Sequence, residues 1–193
     1  AEEKLIKLGS TRKAFYVLPE YAQKNKGVFP AQYSKTFKNI SLEEHRVLEQ
    51  ITQTFPPLNR LPENVRSIFI YTFTEMLNNA IEHSTAPRIK VEVSIQKKLL
   101  SFIISDSGIG VFRNIMEKRD LKSELEAIQE LMKGKTTTMP KSHTGEGIFF
   151  TSKAGNLFIL NSFGYQLIVN NEIPDIFVEK PEKTKRGTQV IFN

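Results

Sequence analysis

The sequence predicts an α+β fold, a two-layer α/β sandwich built on a mixed β-sheet. Short β-prone runs and helical patterns occur together without strict strand–helix alternation, which is typical of layered α+β proteins. A long apolar run over residues 62–83 exceeds the length of one strand and indicates a helix. Hydrophobic residues make up 39% of the 193 residues, which is enough to form a buried core.

Composition excludes several classes of protein. The chain has no cysteine, so disulfides and thiolate metal sites are excluded. No apolar run approaches the ~18 residues of a membrane span, and the first ten residues lack the apolar core of a signal peptide. We therefore expect a cytoplasmic protein without a membrane segment. The net charge of +6 suits an anionic partner, although solubility alone would also explain it.

The N-terminal segment is predicted to stand apart from the main domain. Residues 1–18 form a predicted β-hairpin, because two β-prone runs flank the Gly9–Ser10 pair. This segment resembles the wing of a bacterial winged-helix DNA-binding domain, but the recognition helix that would precede it is missing. An ordinary hairpin packed on the main domain is the alternative. Residues 19–34 are predicted to be a linker, and residues 35–193 the main domain.

The next predicted elements lead to a long central helix. A short strand is predicted over residues 34–37, followed by a helix with Ser41 as N-cap and Glu44 completing a capping box. The central helix covers residues 62–83. At ~100° per residue, Glu75, Asn79 and Glu82 share one narrow polar face of this otherwise apolar helix. That stripe either faces water or lines a pocket that binds a ligand or a metal.

The remaining predicted elements are two strands, then three helices, then four strands. Residues 89–95 and 99–105 are predicted strands joined by a short turn, and residues 133–144 form a polar, threonine-rich loop. Helices are predicted over residues 111–118, 123–132 and 145–153. Further strands are predicted over residues 157–161, 165–169, 175–178 and 187–192.

Short motifs accompany these elements in a fixed order. The polar face of the central helix is followed by Asp106, Gly108 and Gly110, directly after a strand. Gly145 and Gly147 then open a helix after the threonine-rich loop. Each motif alone is weak, since such glycines commonly mark tight turns.

Together with Gly187 and Thr188, these motifs resemble the Bergerat (GHKL) ATP-binding fold of DNA gyrase, heat-shock chaperones, MutL and histidine kinases. The resemblance covers residues ~35 to 192. It is strongest to bacterial regulatory ATP-binding proteins similar to the anti-sigma-factor kinases, some of which carry an N-terminal winged helix and a C-terminal STAS-like domain. The resemblance implies ATP and Mg²⁺ as cofactors and a mobile ATP lid over residues 133–144.

The resemblance also implies roles for individual residues. Glu75 is the expected catalytic base, Asn79 the Mg²⁺ ligand and Asp106 the acceptor for the adenine amino group. The other residues expected to bind the cofactor are Gly108, Gly110, Lys135, Thr144, Gly145, Gly147 and Thr188. Gly145 and Gly147 would present backbone amides to phosphate at a helix N-terminus.

Two competing motif interpretations are rejected. Gly134, Lys135 and Thr136 imitate the end of a P-loop, but Gln129 stands where the earlier glycine is required. A zinc site at Glu75, Asn79 and His83 is disfavoured because asparagine is rarely a zinc ligand.

The expected function is that of a Mg-ATP-binding domain in a bacterial regulatory protein. It would hydrolyse ATP, or transfer the γ-phosphate to a serine or threonine of a partner protein. The alternative is a non-catalytic ATP-sensing switch that gates dimerisation or an attached DNA-binding domain. Expected partners are ATP or ADP, a protein substrate, a second copy, and DNA only through the missing winged-helix region.

Overall fold

A single seven-stranded β-sheet with helices on one face forms the framework of the protein. The structure is a computed structural model that describes residues 6–8, 15–18, 32–96, 99–134, 144–182 and 184–193. Its strands are β1 (Ile6–Leu8), β2 (Phe15–Val17), β3 (Gln32–Lys38), β4 (Arg88–Gln96), β5 (Leu99–Asp106), β6 (Leu157–Phe163), β7 (Tyr165–Asn170), β8 (Asp175–Glu179) and β9 (Lys185–Phe192). Its helices are α1 (Glu44–Thr54), α2 (Glu63–His83), α3 (Val111–Lys118), α4 (Glu124–Lys133) and α5 (Thr144–Ala154), with a 3-10 turn at Pro56–Arg60.

The α+β class is confirmed, but the predicted mixed sheet is wrong. The strand order is β3-β4-β5-β9-β6-β7-β8, and every pairing among the described strands is antiparallel. The chain leaves β5, passes through three helices and enters β6. Because β5 and β6 are both antiparallel to β9, they run in the same direction. They never pair, because β9 lies between them and is antiparallel to both.

The core lies between the helices and one face of the sheet. Strand residues alternate between buried and partly exposed, as they do when only one face is covered. Aromatic rings join the two layers. Phe69 and Phe73 of α2 stack at 5.2 Å between ring centroids, and both meet the edge of Phe102 on β5. Phe102 in turn stacks on Phe192 of β9 at 5.0 Å.

The central helix agrees with its prediction to within one residue. α2 begins at Glu63, after Pro62, and ends at His83. Pro62 is the N-cap, so the N–H that it lacks takes no part in the helical hydrogen bonds, while its carbonyl accepts from Arg66 N at 3.0 Å. The buried residues of α2 are Phe69, Thr72, Phe73, Met76, Leu77 and Ala80. None of the helices in the described part of the chain has the length and apolar character needed to cross a membrane.

The predicted capping box at Ser41 is wrong. α1 begins three residues later, at Glu44, with Glu43 as its N-cap and no side-chain capping bond. Ser41 has a φ of 49°, in the left-handed region, so the chain turns there before the helix begins. Elsewhere the predicted strands and helices are confirmed to within a few residues at their ends.

Some predictions fall on residues outside the described part of the chain. β1 and β2 pair antiparallel, but the Gly9–Ser10 turn between them is not described. The same applies to residues 97–98 and to residues 135–143 of the expected ATP lid.

Candidate functional site

A cavity between the sheet and the helices brings the sequence motifs together. Its empty volume is about 450 Å³, including the open mouth. The part of it that the centre of a water molecule can reach is about 30 Å³. Its apolar lining residues are Met76, Ala80, Ile104, Val111, Ile148, Leu160 and Val190. Its remaining lining residues are Asn79, His83, Ser84, Asp106, Gly110, Asn114 and Thr188.

Asp106 is the buried carboxylate of this cavity. It ends β5, and only 7% of its surface is exposed. Its Oδ1 accepts hydrogen bonds from the backbone N–H of Gly108 at 2.8 Å and of Thr188 at 3.3 Å. No described residue donates to Oδ2. Burial raises the pKa of Asp106, whereas the two backbone donors lower it. Burial is the larger effect, so the pKa lies above its ordinary value. Asp106 therefore offers a fixed acceptor in an otherwise apolar wall.

The turn after Asp106 is packed tightly against the end of α2. The backbone N–H of Ile109 donates to Ser84 O at 2.9 Å. A Cβ on Gly108 would lie 1.7 Å from Ser84 O, so no other residue fits there. Gly110 has a φ of 85° and is the N-cap of α3. The protein itself therefore fills the space beside Gly108, and the expected role of Gly108 in binding the cofactor stays a prediction.

Gly187 and Thr188 bring β9 onto the same turn. Gly187 has a φ of 83°, and a Cβ there would lie 2.2 Å from Asp106 O. The hydroxyl of Thr188 accepts a hydrogen bond from Val111 N at 3.0 Å, which satisfies a free donor in the first turn of α3. The hydroxyl proton of Thr188 remains available to donate to a ligand.

Asn79 has a buried polar atom without a hydrogen-bond partner. Among the described residues that line the cavity, it is the one residue with such an atom. Its Nδ2 has no hydrogen bond among those residues, although it lines the cavity. Buried polar groups are nearly always hydrogen-bonded, so an unsatisfied one indicates a missing partner. A half-turn of the amide exchanges its nitrogen and oxygen, so the carbonyl oxygen can take this position and accept a donor or bind a cation.

Glu75 and Gly147 meet where α2 packs against α5. A Cβ on Gly147 would lie 1.9 Å from Oε2 of Glu75, so the carboxylate rests against the first turn of α5. The unpaired N–H groups and the dipole at a helix N-terminus favour a negative group there. The glycine thus makes room for the carboxylate at the position where the sequence predicts phosphate.

The cavity does not gather every predicted residue. Asn79, Asp106, Gly110 and Thr188 line it, and Gly108 lies in the adjoining turn. Glu75 precedes Asn79 by one turn of α2 and lies beside Gly147 of α5. Neither Glu75 nor Gly147 is a lining residue of the cavity. Thr144 and Gly145 are the first residues of α5, but their surroundings are not described, and Lys135 lies outside the described residues.

Sequence analysis missed Asn114, a buried polar residue of the cavity. Its Nδ2 donates to the backbone carbonyl of His83 at 3.2 Å and so ties α3 to the end of α2. One signal was present in the sequence: Asn114 follows Gly110 by one helical turn and sits between the buried Phe112 and Ile115. A polar residue among apolar ones on a helix indicates a buried hydrogen bond or a site.

His83 also lines the cavity. Its Nδ1 lies 3.4 Å from Lys118 Nζ and its Nε2 lies 3.7 Å from Glu82. Burial and the neighbouring lysine lower the pKa of His83, so the neutral ring is favoured. An uncharged ring suits the wall of an apolar cavity.

The residues fit magnesium better than zinc. Within the described ranges, no group of three or more His, Cys, Asp or Glu side chains is placed to hold a metal ion. Mg²⁺ needs less from the protein, because it keeps several waters and takes oxygen ligands from phosphates. One amide oxygen from Asn79 next to a bound triphosphate is therefore an adequate ligand.

Comparisons with known proteins do not assign a family. No protein-family model matches the sequence, and no curated protein matches it significantly.

Proposed function

We propose that the cavity binds the adenine ring of ATP and that this chain is the Mg-ATP-binding domain of a bacterial regulatory protein. Asp106 carries the proposal. A buried carboxylate held by two backbone donors, with its second oxygen unbonded among the described residues, suits the amino group of adenine. The apolar lining suits the faces of a purine, since small-molecule sites combine apolar walls with a few fixed polar groups.

Residues of α2 and α5 are the proposed phosphate site. The triphosphate would extend from the cavity along Asn79 towards the first turn of α5 around Gly147. Asn79 would hold Mg²⁺, and its buried unpartnered atom supports this role. When bound, the ion supplies positive charge that stabilises the phosphate oxygens.

Glu75 is the proposed catalytic residue. It lies one turn before Asn79 on α2, so both side chains emerge on the same side of the helix. A carboxylate there can take a proton from water or from a hydroxyl of a partner protein. The proposed reactions are therefore ATP hydrolysis and transfer of the γ-phosphate to a serine or threonine.

A non-catalytic ATP-sensing switch is the second proposed function. The contact between Glu75 and Gly147 favours it, because the carboxylate already occupies the helix N-terminus that phosphate would use. Nucleotide binding would then displace Glu75 and shift α5 against α2. Such a movement would signal to a partner without any bond being broken.

Titration of the chain with ATP, ADP and GTP, each with and without Mg²⁺, tests the binding proposal. We expect saturable binding of the adenine nucleotides, tighter with Mg²⁺, and weaker binding of GTP. Absence of binding at millimolar ATP would contradict the proposal. Release of phosphate from γ-labelled ATP, alone and with partner proteins, then separates the enzyme from the sensor.

A further inference from the structure

The face of the sheet that points away from the helices carries a row of apolar side chains. The strand registers align one residue from each of five neighbouring strands, namely Ile103, Ile191, Ile159, Ile168 and Phe177. On β5, β9, β6 and β7 the neighbours along the strand are buried core residues, so these four isoleucines lie on the opposite face, and the register aligns the exposed Phe177 of β8 with them. Four intervals of ~4.8 Å make the row roughly 19 Å long.

A polar row runs parallel to this apolar row and has opposite charges at its two ends. Side-chain hydrogen bonds of 3.2, 3.3 and 2.5 Å connect Ser105, Gln189, Asn161 and Gln166 across four strands. Lys90 of β4 pairs with Ser105 at one end, and Glu179 of β8 pairs with Gln166 at the other. Lys90 forms an ion pair at 3.0 Å with Glu92, which lies on the same face opposite Ile103. With Lys38 and Arg88 added, the face carries net positive charge at β3 and β4, and it is acidic at β8.

The basic end has more positive charge than the chain itself neutralises. Lys38 lies directly opposite Arg88 in the β3–β4 register, and like charges in that position destabilise a sheet. Within the described residues neither side chain has an ion pair, and the same is true of Glu179 at the far end. The unpaired charges of opposite sign thus lie at opposite edges of one face.

We propose that two copies of this chain associate through these faces, sheet against sheet. β9 is the fourth of the seven strands, so a two-fold axis along β9 passes through the middle of the face. This rotation places β8 of one copy over β3 of the other and leaves each row over its own counterpart. Ile191 then lies at the axis, and the apolar rows overlap on β5, β9 and β6. The outer members of the row, Ile168 and Phe177, lie over Glu92 and Ser34 of the other copy.

Charge complementarity favours a second copy as the occupant. The rotation sets Glu179 over Thr36, and Lys38 is two residues further along β3, roughly 7 Å away. Each edge of the interface would thus pair the unmatched charges that the single chain leaves apart. Nucleic acid fits poorly, because an isoleucine row and Glu179 occupy the same face.

The size of the face is adequate for a dimer. Six intervals of ~4.8 Å and strands roughly 20 Å long give a flat area of roughly 600 Å². This is close to the ~800 Å² per partner of ordinary stable interfaces. The interface lies on the far side of the sheet from the cavity, so the proposal does not depend on nucleotide binding.

Sedimentation across the micromolar range tests the apolar row. We expect a concentration-dependent dimer whose Kd is raised roughly tenfold or more by Phe177→Asp and by Ile191→Asp. Phe177 is 39% exposed on an edge strand, so its substitution leaves the fold intact even where Ile191→Asp unfolds the chain. Leu125→Asp, on an exposed face of α4, is the matched control and should not change the Kd.

A charge exchange tests the two-fold arrangement itself. Glu179→Lys alone and Lys38→Glu alone each place like charges at both edges of a homodimer and should weaken it. An equimolar mixture of the two variants restores opposite charges at both edges, so the mixed dimer should form preferentially in native mass spectrometry. A monomer at every concentration, a dimer insensitive to Phe177→Asp, or a mixture no tighter than the separate variants would overturn the proposal.

Discussion

Asp106→Asn is the substitution that tests the adenine site most directly. Oδ1 of Asp106 accepts from two backbone N–H groups, of Gly108 and Thr188. In the variant the amide oxygen takes this position, because the amide nitrogen cannot accept. The NH₂ group then occupies the position of the second carboxylate oxygen. A donor replaces the acceptor that we propose for the adenine amino group.

The expected magnitude follows from the loss of one charge-assisted hydrogen bond. Such bonds contribute ~1.5–3 kcal/mol, and each ~1.4 kcal/mol is a factor of ten in Kd. ATP binding should therefore weaken roughly 10- to 100-fold. ITP carries a carbonyl where ATP has the amino group, and the new NH₂ group can donate to it. The ratio of ATP to ITP affinity should fall by more than the affinity for ATP alone.

Stability should change in the opposite direction. Burial raises the pKa of Asp106 above its ordinary value of 3.8, so ionisation is more costly in the folded protein than in the unfolded chain. The wild-type chain therefore loses stability as the pH rises through the folded-state pKa. The amide of the Asp106→Asn variant cannot ionise, so the Tm advantage of the variant should be absent below pH 3.8 and should appear above the folded-state pKa.

Calorimetric titration with ATP and ITP, together with thermal melts over a pH series, measures both effects. Asp120→Asn is the matched control, because it makes the same chemical change on an exposed turn with a φ of 51° that asparagine tolerates. Unchanged ATP affinity in a folded Asp106→Asn variant would refute the role of Asp106. Equal losses for ATP and ITP would show that the residue does not read the amino group.

Two further predictions concern α2 and α5. Glu75→Gln should lower phosphate release or transfer by ~10²–10⁴-fold and leave ATP binding largely intact, and normal turnover would exclude Glu75 as the base. Gly147→Ala should lower turnover similarly with little loss of Tm, because the new methyl group displaces only the flexible end of Glu75. Gly108→Ala is the contrasting variant, because its methyl group would meet the backbone of Ser84. A thermal melt should therefore show severe destabilisation. Equal Tm values for the two alanine variants would contradict this account.

The sequence predicted the elements well and their pairing less well. Helical periodicity and the flanking proline located α2 to within one residue, because those signals act within a few turns of chain. The capping box failed at Ser41, where the turn before α1 is left-handed. The mixed sheet failed because strand pairing depends on where β9 inserts, and that involves residues such as Ser105 and Gln189, which are 84 positions apart.

The candidate site shows the same division. The sequence motifs predicted Asn79 and Asp106 as site residues, and both line one cavity. Asn114 was not predicted, because its hydrogen-bond partner, the carbonyl of His83, is 31 residues away in the chain. The packing around Gly108 was not predicted for a similar reason, since the atom that fills the space beside it belongs to Ser84.

By itself, the sequence determined the helices, the strands and the order of the motifs, because these depend on local periodicity and turn residues. Only the tertiary structure decided which of the motif residues share a cavity, and that Glu75 rests against Gly147. It also decided that an isoleucine row and opposite charges share the outer face. Each of these depends on strand register and helix packing, where contacts form between residues distant in the chain and no local pattern encodes the partner.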